Sequence, residues 1–215
     1  MTETLEELAA EAATCTRCRL HETRTQVVFG VGNPYADLLF IGEGPGFHED
    51  KQGEPFVGAA GQLLNRMLGE IGLRREDVYI ANVVKSRPPG NRDPRPDEIE
   101  ACTPWLTEQI RLIDPRIVVT LGNFATRYIL DTTASISRVR GQRFDWRDRT
   151  VIPTFHPAAI LHGGGEKSRQ FQALQEDFAE VRRALDEPIV VPEAAPEPEP
   201  SSPGEDAGSE QLGLF

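Results

Sequence analysis

The sequence predicts an α/β fold in which a mostly parallel sheet is covered by helices on both faces. Short apolar runs of strand length recur at Asp37–Ile41, Val78–Val84, Ile117–Leu121 and Val151–Phe155. Between them lie segments whose apolar residues fall at helical spacing, and such alternation is the pattern of parallel crossover units. A third observation locates a site. Gly42 to Gly61, GEGPGFHEDKQGEPFVGAAG, joins the first of these strands to a helical segment. Connections of this kind are where open α/β sheets place their ligands. The stretch holds six glycines, a phenylalanine on each side of its charged centre, and the carboxylates Glu43, Glu49, Asp50 and Glu54. Its glycines let backbone approach a flat ligand closely, and structureless loops of such length in compact domains are usually functional or disordered.

Taken in order, residues 4–13 read as a short helix running into Cys15-Thr-Arg-Cys18. Gln26–Val31 reads as a strand, separated from Asp37–Ile41 by the Gly32-Asn33-Pro34 turn. Leu63–Leu73 is helical, with apolar residues at 63, 64, 67, 68 and 71. Asn82 interrupts the apolar strand Val78–Val84. A proline-rich loop, SRPPGNRDPRP, carries Arg87, Arg92 and Arg95, and Asp97 is placed to cap a helix over Glu98–Ile113. There follow a strand at Ile117–Leu121, a helix at Asn123–Leu130, and a hairpin or bent strand pair formed by Arg138–Trp146 and Val151–Phe155. An HPAAILHGGG loop leads into a last helix, Lys167–Leu185. From Pro188 proline, glutamate, alanine and serine dominate, which predicts a disordered linker ending in the apolar peptide Gln211-Leu-Gly-Leu-Phe215. The expected organisation is a globular domain over 1–187, a linker over 188–210 and a docking peptide over 211–215.

The formal charge of -11 is concentrated in the tail: no Lys or Arg follows Arg183, whereas eight acids do. Without these the body has 26 acids against 23 bases, so the acidic total does not exclude a nucleic-acid-binding body, for which a local basic patch is what matters. The N-terminus has no apolar signal-peptide core and no run approaches membrane-span length, so a cytoplasmic protein without membrane contact is expected. Three cysteines, two of them in a C-x-x-C pair, favour metal or redox use over structural disulfides.

Four features then coincide: GEGPGFHED with EPFVGAAGQLLNRML, ANVVKSRPPGNRDPRPDEIEAC, FHPAAIL, and the Cys15-x-x-Cys18 pair with Cys102 downstream. In order and spacing, from about Cys15 to about Leu185, they closely resemble family 4 uracil-DNA glycosylases, the iron–sulfur branch of the uracil glycosylase superfamily. The resemblance implies a three-layer α/β/α fold with a central, mostly parallel four-stranded sheet, and removal of uracil from DNA by a monomer that starts base excision repair. Such an enzyme must flip its base out of the stack. Phe56 can offer the flipped pyrimidine a stacking face, although packing within the loop is its ordinary role. Uracil shows an acceptor at O4 and a donor at N3–H, and the carboxamide of Asn82 presents the complementary pair. Cytosine reverses that pattern and would leave buried polar groups unpaired. His156 matches the donor to O2, where negative charge develops on the departing base. Glu43 matches the acidic position that positions or activates water, or stabilises the oxocarbenium-like sugar. Glu49 is placed to exclude a five-methyl group, or else to favour a helix N-terminus with Asp50. Gly44, where many relatives carry alanine, brings backbone N–H groups close to the base.

Ile160 and Leu161 form a candidate wedge for the gap left by the flipped base, and Arg87, Arg92, Lys167 and Arg169 are candidate phosphate contacts. The family's [4Fe–4S] cluster takes four cysteines. Cys15, Cys18 and Cys102 match three of them, and Ser86 stands at the fourth position, with fifteen residues between it and Cys102. The resemblance thus implies a cluster of structural role, retained but more labile, its site completed by the serine alkoxide, a water or a three-iron form; zinc on three thiolates and loss of the cluster are the alternatives. No histidine occurs in 86–101, where some relatives trap their abasic product, so ordinary turnover is expected. No lysine is needed as nucleophile, which makes the expected enzyme monofunctional. Gln211, Leu212, Leu214 and Phe215 resemble the peptide by which bacterial repair proteins dock on the DNA polymerase sliding clamp. Two other functions compete: a non-catalytic iron–sulfur adaptor recruited to the clamp, and a glycosylase for other deaminated bases such as hypoxanthine.

Overall fold

The computed structural model describes residues 4–188. The linker beyond Pro188 and the 211–215 peptide lie outside the described residues. Helix α1 spans Leu5–Ala13 and strand β1 Val31–Gly32, followed by β2 (Leu38–Gly42), α2 (Phe47–Gln52), α3 (Ala59–Glu70) and β3 (Tyr79–Asn82). The second half contributes α4 (Pro96–Ile113), β4 (Ile117–Leu121), α5 (Gly122–Leu130), α6 (Ile136–Val139), β5 (Phe144–Trp146), β6 (Arg149–Thr154), α7 (Pro157–His162) and α8 (Arg169–Asp186). Among the described residues the sheet has six strands in the order β1-β3-β2-β4-β6-β5. The inner four are parallel, as the expected four-stranded sheet requires, and β1 and β5 extend it antiparallel at the two edges.

Side-chain alternation along the buried strands builds two cores. Leu38 and Phe40 of β2 face Met67 and Leu68 of α3 and Phe178 and Val181 of α8. Leu39 and Ile41 face Leu106 and Ile110 of α4 and Ala125 and Ile129 of α5. Because both faces are covered, β2 and β4 read as continuous apolar runs rather than alternating ones. Parallel pairing also brings the C-terminal ends of β2, β3, β4 and β6 to one edge of the sheet.

Several boundaries differ from the sequence reading. Gln26–Val31 is not a strand: only Val31–Gly32 pairs with β3, and Val28 makes a lone N–H bond to the Lys85 carbonyl at 2.8 Å. The 42–61 connection is partly helical. It contains α2, closed by Gly53 at φ +80°, and α3 begins at Ala59 because Ala59–Gln62 extend the helix ahead of its apolar stripe. Helix α4 begins at Pro96, a residue suited to a first helical position. Asp97 is therefore inside the first turn, and Glu98 accepts the Arg95 N–H at 2.8 Å. Arg138–Trp146 breaks into the one-turn α6 and the short β5, and Arg147 and Asp148 turn the β5–β6 hairpin at φ +48° and +60°. The HPAAIL segment is a helix, α7, with His156 at its N-cap. Ile160 of that helix is fully buried in the core, so it is no wedge; its side chain faces inward because α7 packs on α3. Among the described residues no helix is long and apolar enough to cross a membrane.

Candidate functional site

At the C-terminal edge of the parallel strands lies a cavity of about 440 Å³. Glu43 and Gly44 line it from the end of β2, Glu49 from α2, Phe56 from the α2–α3 turn, Asn82 from the end of β3 and His156 from the start of α7. All six residues expected to hold and cleave a base are thus in one place, although they come from five segments of the chain.

Gly42 is the point around which they gather. A Cβ there would stand 2.4 Å from Asn82 Oδ1 and 2.7 Å from Phe56 Cζ. Phe56 itself sits at φ +54°, a backbone conformation costly for a bulky side chain. It is held there by Gly61, whose missing Cβ would meet the Phe56 carbonyl at 1.6 Å, and by Arg75, which donates to the carbonyls of Phe56 at 3.3 Å and of Pro55. The Phe56 ring and the His156 imidazole lie 5.5 Å apart at 29°.

Asn82 Oδ1 is buried and accepts no hydrogen bond from the described residues. Such an orphan acceptor is expensive unless a ligand supplies its donor. His156 Nδ1 accepts the Ala158 N–H at 3.1 Å, which leaves the proton of a neutral ring on Nε2. Burial pushes the imidazole down to about 4, against a smaller upward pull from Glu49, so the ring is a neutral donor at ordinary pH. Burial also holds the Glu43 carboxyl above its usual range, helped by the charge of Asp93 on the facing loop. A perturbed acid beside a neutral imidazole in a concave pocket is the mark of an acid–base or charge-stabilising site.

Glu49 turns its Oε1 to the N–H groups of Val57 and Gly58 at 3.0 and 3.1 Å, so it caps the start of α3 as well as lining the cavity. Asp50 is buried and accepts from Thr25 N and Oγ1 at 2.8 and 2.7 Å. Arg92 is at the rim, but its guanidinium grips both oxygens of the fully buried Glu98 at 2.8 and 2.6 Å and so braces the loop. Arg87 donates to Asn91 at 2.6 Å and lies over the ring of Phe47, which is 50 % exposed. Leu161 is 42 % exposed at the end of α7, and the exposed Lys167 and Arg169 flank the turn into α8. The sequence reading missed Arg75, Asp93 and the exposed Phe47. It also missed Lys85, a buried lysine that burial pushes down to about 7. For Lys85 a signal was present, a lysine closing an apolar strand.

On the far side of β3, Cys15 and Cys18 precede the Arg24 turn and Cys102 faces them from α4. Burial pushes the Cys18 and Cys102 thiols up. Ser86 Oγ, at the expected fourth position, accepts from Arg24 Nη1 at 3.2 Å, and Arg24 Nη2 donates to the Cys15 carbonyl at 2.6 Å. Among the described residues no three His, Cys, Asp or Glu side chains are arranged to hold a metal ion. The donor set does not fit a cluster ligated by four thiolates: the chain has three cysteines, all free, and at the expected fourth position the Ser86 hydroxyl is engaged by the Arg24 guanidinium.

The family model described as the uracil DNA glycosylase superfamily matches residues 29–179. The chain is 47% identical over 189 residues to the type-4 uracil-DNA glycosylase of Sulfurisphaera tokodaii, covering 84% of each protein. It is 49% identical to that of Archaeoglobus fulgidus, covering 74% of this chain and 84% of the relative. For that of Thermotoga maritima the identity is 48%, over 78% of this chain and 88% of the relative.

The depressed imidazole has a signature in stability. The unfolded chain binds a proton at His156 near 6.5 and the folded one only near 4, so the unfolded state gains protons first as pH falls. Stability should be full above about 6.5 and decline toward about 4, and the decline should be smaller in His156→Gln. Thermal melts of both proteins across that range measure the difference, and parallel curves would contradict the assignment.

Proposed function

The chain belongs to the uracil-DNA glycosylase superfamily, with type-4 members as its relatives, and from that premise we propose how its own residues excise uracil from DNA. The reading rests on one observation above the others: the unpartnered carboxamide oxygen of Asn82 at the floor of a cavity shared with Phe56 and His156. A flipped uracil supplies N3–H to that oxygen, its O4 accepts from the same amide, and its ring lies against Phe56. Cytosine offers N3 as an acceptor there, so the buried oxygen would stay unpaired.

As the C1′–N1 bond breaks, its electron pair goes to the base and is delocalised onto O2. The neutral His156 donates Nε2–H to that oxygen without a change in its own charge, which is preorganised stabilisation of the leaving group. Glu43 faces the sugar side. Its carboxylate stabilises the developing oxocarbenium and accepts a proton from the attacking water, whose oxygen bonds to C1′. Uracil leaves as its N1 anion and takes a proton from solvent, Glu43 returns its proton to solvent, and an abasic site remains. Among the described residues no lysine lines the cavity, which agrees with a monofunctional hydrolase. Glu49 limits space beside the base by fixing the α2–α3 turn. Arg87, Lys167 and Arg169 meet phosphates, and Leu161 is the remaining candidate for filling the vacated stack.

The metal centre and the tail belong to the same proposal. Cys15, Cys18 and Cys102 would hold an iron–sulfur cluster at three corners, leaving the fourth to oxygen, with the structural role of tying α1 to the 86–102 segment. Gln211, Leu212, Leu214 and Phe215 would dock a cytoplasmic monomer on the bacterial sliding clamp, the acidic tether raising their effective concentration there.

Three experiments test this reading. Incubation with uracil-, hypoxanthine- and thymine-containing oligonucleotides, followed by alkaline cleavage, should show uracil release, reduced by about 100-fold or more in His156→Ala and strongly in Asn82→Ala. Near-wild-type rates in either variant would overturn the roles given. Binding to uracil-containing DNA without release would favour the adaptor. Ser86→Cys, purified anaerobically, should carry more iron and sulfide per chain than the wild type; equal content would exclude Ser86 as the weak corner. Deleting 211–215 should abolish clamp binding and leave excision on free oligonucleotides intact.

A further inference from the structure

Directly behind Asn82 the core contains a lysine that does not line the cavity. Lys85 is 2 % exposed. Its side chain folds back over the bend that follows β3 and donates from Nζ to the Asn82 carbonyl at 2.8 Å and to Gln109 Oε1 of α4. Gln109, itself fully buried, passes the connection on: its Nε2 donates to the Phe29 carbonyl at 2.9 Å. The backbone of Lys85 is tied as well, its N–H to Cys102 Sγ at 3.5 Å and its carbonyl to Val28 N–H at 2.8 Å. Burying a lysine amine among neutral acceptors is costly whichever form it takes, and an apolar side chain of the same shape would avoid that cost. The expense falls at the peptide that carries the amide of the site. Asn82 ends β3, and its side-chain oxygen has no partner among the described residues to orient it.

We propose that Lys85 is the positioning residue of Asn82, clamping the Asn82 peptide from behind to α4 so that the carboxamide meets the flipped base in register. The inference rests on uracil excision as the activity. Geometry supports it because the clamp restrains the main chain of Asn82, which fixes the Cα–Cβ direction while leaving the carboxamide free for the ligand. The cysteine site bears on the pocket through the same residue, since Cys102 and Gln109 lie on one helix and both contact Lys85.

A double-mutant cycle on the full chain tests it, with single-turnover excision from a uracil-containing oligonucleotide as the readout. Lys85→Met keeps length and removes the donor. It should melt no lower than the wild type by more than a few degrees, and should excise uracil about tenfold to a hundredfold more slowly, the scale of loss for a misplaced site group. In an Asn82→Ala background the same substitution should change the rate by no more than about twofold, because a residue that acts through Asn82 has nothing left to act on. Lys85→Gln, which keeps an N–H donor, should fall between. If Lys85→Met is not recovered folded, Lys85→Gln is carried through the same cycle. An undiminished rate, or an equal loss in both backgrounds, overturns the inference and leaves uracil excision standing. A wild type without excision overturns the activity itself, and with it this role for Lys85.

Discussion

The site depends on the β2–β3 ladder continuing past the ends of its strands. Gly42 pairs with Asn82 at the last register position, and then Val83 N–H bonds to the Gly42 carbonyl at 2.9 Å and Val84 N–H to the Glu43 carbonyl at 3.1 Å. Those two bonds hold the acid and the amide in fixed relation although they lie far apart along the chain. Everything else is arranged about that fixed pair. The side chain missing at Gly42 admits Asn82 and Phe56, and the one missing at Gly61 admits the strained Phe56 backbone.

Desolvation is the second theme. The same burial acts in opposite directions on different groups, lowering the affinity of His156 for a proton and raising that of Glu43. Each shift suits the chemistry proposed for the group. A neutral imidazole donates without losing a charge it never had, and a carboxyl with raised basicity is a better proton acceptor. A base seated in the cavity would displace water and strengthen both effects. The cavity also leaves an amide oxygen without a partner, a cost that the proposed pairing with a donor-bearing base would offset.

Bracing surrounds the site at some distance from it. Arg75 holds the Phe56 turn, Arg92 on Glu98 holds the proline-rich loop, and Asp50 on Thr25 ties α2 to the N-terminal segment. In the cysteine region, Arg24 bridges Ser86 and Cys15 with direct hydrogen bonds. That clasp ties the two segments together by protein contacts alone.

Hydrophobic periodicity and turn residues in the sequence determined the parallel core strands, the long helices and the connection that carries the site, since these depend on local spacing. Ile117–Leu121 is a strand in both the reading and the structure. Motif order likewise named Glu43, Phe56, Asn82 and His156. Tertiary structure alone decided how they are used. Nothing local distinguishes Ile160 from Leu161, yet α7 packing buries one and exposes the other. Nothing local shows that Glu49 caps α3, that Arg92 is spent on Glu98, or that Lys85 turns inward to Asn82. Each of these depends on partners distant in sequence or on the direction a side chain takes in a packed interior. Burial and hydrogen-bond pairing are properties of the assembled neighbourhood, and spacing along the chain does not encode them.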